Sequence, residues 1–457
     1  MSDSNNNIPS VKEIENARIV LDTYNINKTS LQKSNTFSKI IGNNLYLKNE
    51  ALQATGTFKI RGALYKIDKI IREQKAKDNR FDYSNSNSNS KATNIDNRNI
   101  IDRYSDKKNN LGIIAASAGN HAQGVALASQ MNNLPCTIVM PTKAPTSKIA
   151  ATKAYGAKVI VEGEDYDDSF LLSEKIAKYE NLYQIHAYDD HDVIVGQGTI
   201  GLEILEDLPD VDEIYVPIGG GGLASGISIA IKSRKPGVKI IGVESEAYPA
   251  MKQSLEKGFV HSIKKGDTIA DSISIKSPGR LTFNILKEYL DDIVLVDDLS
   301  IVKAMFLLME REKLVIEPSG SVAIAYFIKI HERSKNYYDL DRNSIDKNKI
   351  QKNVVALLSG GNVDMYLLGQ IVSKGLMQTG RLFKIFIKLP DKSGSFKNII
   401  DILVDLRINI VEVFHDRLSP NIAPGTAGVF LSLEMENESY SEKLVSKLKE
   451  KGIDFTI

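Results

Sequence analysis

The sequence predicts an α/β protein of parallel sheets flanked by helices, followed by a small βαββαβ unit. Two observations carry this. From residue 111 to 358, short apolar runs of strand length alternate with helical patterns, which argues for parallel sheets flanked by helices. After Gly380 the rhythm changes to strand, helix, strand, strand, helix, strand within about eighty residues, the size of a small independent domain.

The elements follow in order. Residues 111–116, 137–140, 158–162, 213–218, 239–244 and 354–358 read as buried strands. Helices are expected over 120–130, 145–155 with Pro145 at the start, 167–179 and 223–231. In the C-terminal part, 381–389 alternates as a strand and Pro390-Asp391-Lys392-Ser393-Gly394 makes a loop. Ile399, Ile400, Leu403 and Leu406 recur at helical spacing over 395–406. Strands at 409–415 and 428–435, a helix at 440–451 and an edge strand at 453–457 complete the unit. The boundaries are drawn at 1–379 and 380–457. Residues 84–99 hold ten Ser or Asn in sixteen and form the centre of a polar insertion over about 75–110. A second polar stretch covers 332–353.

The 457 residues suffice for two or three domains, and 42% hydrophobic with 25% charged residues is an ordinary globular composition. A net charge of +1 gives no electrostatic case for nucleic acid or an anionic membrane as partner. The single cysteine, Cys136, excludes an internal disulfide and thiolate metal clusters, fits a cytoplasmic location, and reads as a buried, inert thiol in an apolar strand. The start of the chain is polar and lacks the pattern of a signal peptide, and no apolar run reaches membrane-spanning length. The six histidines are scattered without metal-binding spacing.

Chemistry concentrates in glycine-rich segments at strand ends, where ligands bind in open α/β sheets. Lys59 follows Ala54-Thr55-Gly56-Thr57-Phe58 and opens a predicted helix, with Thr57 as its N-cap. A helix N-terminus disfavours an ammonium, and Phe58 and Ile60 can exclude water, so Lys59 is a candidate reactive amine. Pro217-Ile218-Gly219-Gly220-Gly221-Gly222-Leu223 follows a strand and opens a helix. The run lets several N–H groups approach one phosphate and lacks the Gly-Lys-Ser/Thr ending of a nucleotide loop. Ser117-Ala118-Gly119-Asn120-His121 sits between strand and helix and could hold a carboxylate, with Asn120 alternatively an N-cap. Ser359, in Leu358-Ser359-Gly360-Gly361-Asn362, reads as a cap or as a neutral partner for a cofactor nitrogen.

Together these segments resemble the fold-type II pyridoxal-phosphate enzymes, and within them the threonine dehydratases (threonine ammonia-lyases) that carry a C-terminal ACT domain. The order Thr57-Phe58-Lys59-Ile60-Arg61-Gly62-Ala63, Ser117 to His121, Gly196-Gln197-Gly198-Thr199, the four-glycine run, and Ser359 to Asn362 is the family's order. The resemblance implies a two-subdomain catalytic architecture and pyridoxal 5'-phosphate as cofactor. It makes Lys59 the Schiff-base lysine, Asn120 the partner of the pyridoxal 3-oxygen, and Gly219, Gly220, Gly221, Gly222 and Leu223 the phosphate loop. Ser359 becomes the partner of the ring nitrogen, and Ser117, Ala118, Gly119, Asn120 and His121 the loop for the substrate carboxylate. Glu317, near the ring in such enzymes, receives no role.

The implied reaction is β-elimination from L-threonine to 2-oxobutanoate and ammonia, with L-serine giving pyruvate. A neutral Ser359 favours prompt loss of the leaving group over reprotonation. The nearest alternatives are a serine racemase or serine dehydratase, a β-replacement enzyme, and a non-catalytic amino-acid sensor. In the racemases a second serine stands where this chain has Ala118, which has no proton to give. Those enzymes also have a divalent-metal site. Here Glu244 matches one ligand, Ala250 stands where an aspartate is expected, and no metal site is assigned. The ACT resemblance implies a branched-chain amino-acid effector near Asp391-Lys392-Ser393-Gly394 and Asn409, and a homodimer or homotetramer.

Overall fold

The computed structural model describes residues 8–84, 111–333 and 351–457. Most of the Ser/Asn-rich insertion and of the second polar stretch therefore lies outside the described residues. The chain forms two compact units, Met1–Val363 and Asp364–Ile457.

The first unit holds strands β1 (Leu31–Ser34), β2 (Asn44–Asn49), β3 (Ile113–Ala116), β4 (Cys136–Met140), β5 (Lys158–Val161), β6 (Tyr183–Gln184), β7 (Glu213–Pro217), β8 (Lys239–Ser245), β9 (Asp292–Val296) and β10 (Asn353–Leu358). They make two sheets, ordered β1-β2-β10-β7-β8-β9 and β5-β4-β3-β6. Every pairing is parallel except β1 with β2. The inner strands β3, β4 and β10 are apolar almost throughout and buried, as expected where helices cover both faces.

Helices join the two sheets. Lys59–Ser84 packs on Asn120–Met131 of the smaller module and on His191–Asp207, which in turn packs on Gly222–Arg234 of the larger. Glycines allow this close approach. A Cβ on Gly196 would lie 2.6 Å from Gly62 Cα, and one on Gly226 would lie 2.6 Å from Gly198 N. The glycines of the Gly-Gln-Gly-Thr motif thus serve helix packing. The helix Lys59–Ser84 runs further than the sequence pattern implied, taking residues 75–84 from the expected insertion.

Beneath this seam lies a buried ionic cluster. The Arg61 guanidinium donates from Nε to Glu50 Oε2 at 2.8 Å and from Nη1 to Glu203 Oε1 at 2.7 Å. Lys48 pairs with Glu203, and all four side chains are essentially fully buried. Arg18, partly exposed, also pairs with Glu203, so three cations face two carboxylates and each buried charge has an opposite partner.

The second unit contains β11 (Leu382–Pro390), β12 (Asn409–Asp416), β13 (Thr426–Glu434) and β14 (Asp454–Thr456). They form one antiparallel sheet ordered β12-β13-β11-β14. With helices Lys397–Asp405 and Glu438–Glu450 this is the ferredoxin-like βαββαβ arrangement. Its core joins Ile385, Ile387 and Val429 of the sheet to Ile399, Leu403, Leu444 and Leu448 of the helices. The helix Met365–Gln378 belongs to this unit and packs on β11.

Candidate active site

Neighbouring parallel strands bring their following loops together, and the site is built at one such edge. β2 and β10 run side by side, so the segments after them meet. Gly56, at φ +70°, turns the chain. Phe58 N then donates to Ser359 O at 3.2 Å, Gly361 N to Gly56 O at 2.9 Å, and Thr57 bridges Gly360. Lys59 is thereby set beside Ser359 at the start of its helix, with Thr57 Oγ1 accepting from Lys59 N at 3.3 Å.

The Lys59 ammonium donates to Ala187 O at 2.8 Å and lies 5.1 Å from the Phe58 ring centre. Its pKa is lowered from 10.5 to about 8 by burial, partly opposed by the Glu317 carboxylate. Desolvation makes this amine available near neutral pH.

The loop after β3 supplies the opposite wall. Gly119 occupies the N-cap position and Asn120 is the first helical residue, so Asn120 is not the cap. Its amide is used across the cavity instead: Nδ2 donates to Glu317 Oε1 at 2.7 Å and to Ser272 Oγ at 3.3 Å, and Oδ1 accepts from Asn362 Nδ2 at 3.0 Å. Ser117 Oγ accepts from Gly119 N at 3.1 Å and shapes the loop. His121 donates from Nε2 to Ile185 O at 3.0 Å, and burial lowers its pKa to about 3. It is a neutral packing residue at the helix start. Glu317 is pushed up to about 7, by burial first and by Asp271 second.

The glycine run follows β7. Gly221 has φ +97°, and added Cβ atoms would meet Ile273 Cα at 2.9 Å from Gly219 and Tyr188 O at 2.7 Å from Gly222. At Gly220 the same position is taken by the Tyr188 ring. Any side chain would displace a wall, so the backbone stays bare. Gly222 opens the helix Gly222–Arg234, whose first N–H groups have no carbonyl behind them within the helix. Thr282 Oγ1 donates to Gly220 O at 2.7 Å and fixes the turn.

All these segments line one cavity of about 250 Å³. It brings together the residues to which the resemblance gave cofactor or substrate roles: Lys59, Ser117 to His121, Gly219 to Leu223, and Ser359. It also contains Gln197 of the Gly-Gln-Gly-Thr motif and residues that had no sequence signal, among them Lys148, Tyr166, Tyr188, Asp271 and Ser272. Lys148 pairs with Asp271 at 2.6 Å. Glu244 is elsewhere: its carboxylate accepts from Met251 N and Lys252 N, both at 2.9 Å, and so holds the start of the helix Ala250–Lys257. Cys136 is buried, which raises its thiol pKa to about 11 and leaves it unreactive.

The geometry therefore offers an anion cradle of bare N–H groups, a desolvated amine, a second donor loop and a neutral serine in one enclosure. This set fits a phosphate-bearing aldehyde cofactor, because the cradle excludes side chains and the amine can be free of its proton. Residues 23–340 match the family described as pyridoxal-phosphate dependent enzyme. The chain is 38% identical over 434 residues to an L-threonine ammonia-lyase of Thermotoga maritima, covering 94% of this chain and 95% of the relative. Among solved structures, the processed form of threonine deaminase isoform 2 from Solanum lycopersicum superposes with a TM-score of 0.63 at 31% identity, over 80% of this chain and 94% of that one. A maize serine racemase gives 0.64 at 28% identity, over 81% and 99%. A cavity suited to the cofactor and kinship along nearly the whole chain lead to one statement: the chain belongs to the pyridoxal-phosphate dependent enzyme family.

Proposed function

We propose that the chain is an L-threonine ammonia-lyase, which eliminates water across Cα and Cβ of L-threonine to leave an enamine that takes up water again and hydrolyses to 2-oxobutanoate and ammonia, and which converts L-serine to pyruvate more weakly. The observation that carries this reading is Lys59: a single desolvated amine in the same cavity as the glycine cradle, with Ser359 beside it and Ala118 on the facing loop. Kinship to the T. maritima ammonia-lyase at 38% identity supports the choice of substrate.

Pyridoxal phosphate, when bound, supplies the sink for the electron pair left at Cα. The chain's own residues do the rest. The N–H groups of Gly219 to Leu223 bind the phosphate, and Ser117 to His121 orient the substrate carboxylate. Asn120 hydrogen-bonds the 3-oxygen, an assignment supported by its place between Glu317 and Asn362. Lys59 takes the Cα proton as general base, the role its lowered pKa suits. Ser359 holds the ring nitrogen without forcing a proton onto it. Ala118 cannot return a proton from the other face, which sets elimination above racemisation.

The second unit is read as an ACT domain that binds a branched-chain amino acid and joins copies of the chain into a homodimer or homotetramer, in the cytoplasm. Its ferredoxin-like arrangement supports this, as does the exposed loop at Gly394, which turns at φ +88°. Asn409, at the start of β12, donates to Glu434 Oε2 at 3.1 Å. The test of the whole reading is 2-oxo acid release from L-threonine and L-serine by the cofactor-loaded chain. Absence of release from both would overturn it.

A further inference from the structure

Tyr166 lines the same cavity, and its hydroxyl is buried without a hydrogen-bond partner among the described residues. A buried unpaired hydroxyl costs free energy that a phenylalanine would avoid. The ring is also firmly placed. Tyr166 opens the helix Tyr166–Glu180, whose cap Asp165 accepts from Asp167 N at 3.0 Å and Asp168 N at 3.2 Å. Lys276, on the cavity-lining stretch that includes Ser274 and Ile275, grips Asp165 at 2.8 Å and Asp167 at 3.0 Å. The ring stacks on Phe170, centroids 6.0 Å apart and planes 27° from parallel. Burial keeps the phenol protonated, hence a donor.

We propose that Tyr166 binds the substrate, donating its hydroxyl hydrogen to an oxygen of the bound amino acid. The cofactor phosphate already has its donors in the glycine run after β7, on the six-stranded sheet. Tyr166 belongs to the other module, which also carries the Ser117–His121 loop. Two oxygens share the required chemistry: the carboxylate and the β-hydroxyl. The inference rests on the cavity being the ammonia-lyase site.

The test is Tyr166→Phe in the full-length holoenzyme. Only an unpaired hydroxyl is lost, so the variant is expected to fold at least as well as the parent. Expected are a KM for L-threonine raised about tenfold, as for loss of one substrate hydrogen bond, and an unchanged dissociation constant for pyridoxal phosphate. L-2-Aminobutanoate, which lacks the β-hydroxyl, is titrated by the change in cofactor absorbance. A matching loss of its affinity identifies the carboxylate as the acceptor, and unchanged affinity identifies the β-hydroxyl. An unchanged KM, or weakened cofactor binding, overturns the proposal while leaving the ammonia-lyase reading intact. A parent enzyme that releases no 2-oxo acid overturns both.

Discussion

The Asn120 amide donates to the Glu317 carboxylate at 2.7 Å and thereby ties the two sides of the cavity together. Glu317 also opposes the lowering of the Lys59 pKa, so this hydrogen bond lies next to the catalytic balance. Replacing Glu317 by Gln removes that opposition and lowers the Lys59 pKa further. Capture of pyridoxal phosphate by the apoenzyme needs the free amine, so its rate should rise with pH and reach half its maximum near pH 8 in the parent. The midpoint should fall by about one unit in Glu317→Gln. Absorbance at about 410–430 nm reports capture. An upward shift would contradict the arrangement.

The neutral residue at the ring nitrogen gives a second prediction. Ser359 is 4% exposed at the cavity wall. Ser359→Asp places a carboxylate there and should lower 2-oxobutanoate release at least tenfold, by more than about 1.4 kcal/mol in the barrier, while raising exchange of the Cα proton with solvent. Product assay and deuterium incorporation measure the two. Undiminished release would remove Ser359 from the account.

The helix seam predicts a stability effect. Gly196→Ala puts a methyl 2.6 Å from Gly62 Cα and 2.8 Å from Arg61 O, and neither backbone can yield freely. Overpacking of this kind costs about 1–3 kcal/mol. The fall should appear in the urea midpoint of the apoenzyme. Unchanged stability would mean that the helices can separate at no cost.

His121 gives a prediction in pH. In the folded chain it stays neutral down to about pH 3, whereas an unburied histidine takes up a proton below 6.5. The unfolded chain binds the extra proton, so this residue's contribution is present above pH 6.5 and is lost as the pH falls from 6.5 towards 3. His121→Gln should flatten that part of the stability profile. Identical profiles for the two proteins would exclude His121 as a source of acid sensitivity.

Much of this site was legible in the sequence because its parts are local. A strand followed by glycines, or by Ser-Ala-Gly-Asn-His, carries its meaning within a few residues, and Lys59, the glycine run and Ser359 all reach the cavity. The ferredoxin-like unit was legible because each element is amphipathic and short. The helix His191–Asp207 was not, since residues 192–205 are buried on every side and show no periodic face. Tyr166 and Lys148 had no local signal, and the resemblance placed Glu317 near the ring without a role: their importance arises from burial and from partners far away in the chain. For Lys59 the sequence offered both a helix terminus and water exclusion by Phe58 and Ile60, and burial is the first cause of its lowered pKa.

The second unit predicts regulation. Adding L-isoleucine or L-valine to the full-length holoenzyme should change the L-threonine saturation curve, and a chain ending at Val363, where the first compact unit ends, should lose that response. Equal responses with and without the second unit would assign the effector site elsewhere.

The central claim is that Lys59 removes the Cα proton of L-threonine in this cavity. It is tested most directly by measuring 2-oxobutanoate release from L-threonine by the holoenzyme and by Lys59→Ala loaded with pyridoxal phosphate. Steady release by the parent and a loss of at least a thousandfold in the variant are expected, about 4 kcal/mol in the barrier. The absorbance at about 410–430 nm should disappear from the variant as well. Release by Lys59→Ala at a rate near the parent's would contradict the claim.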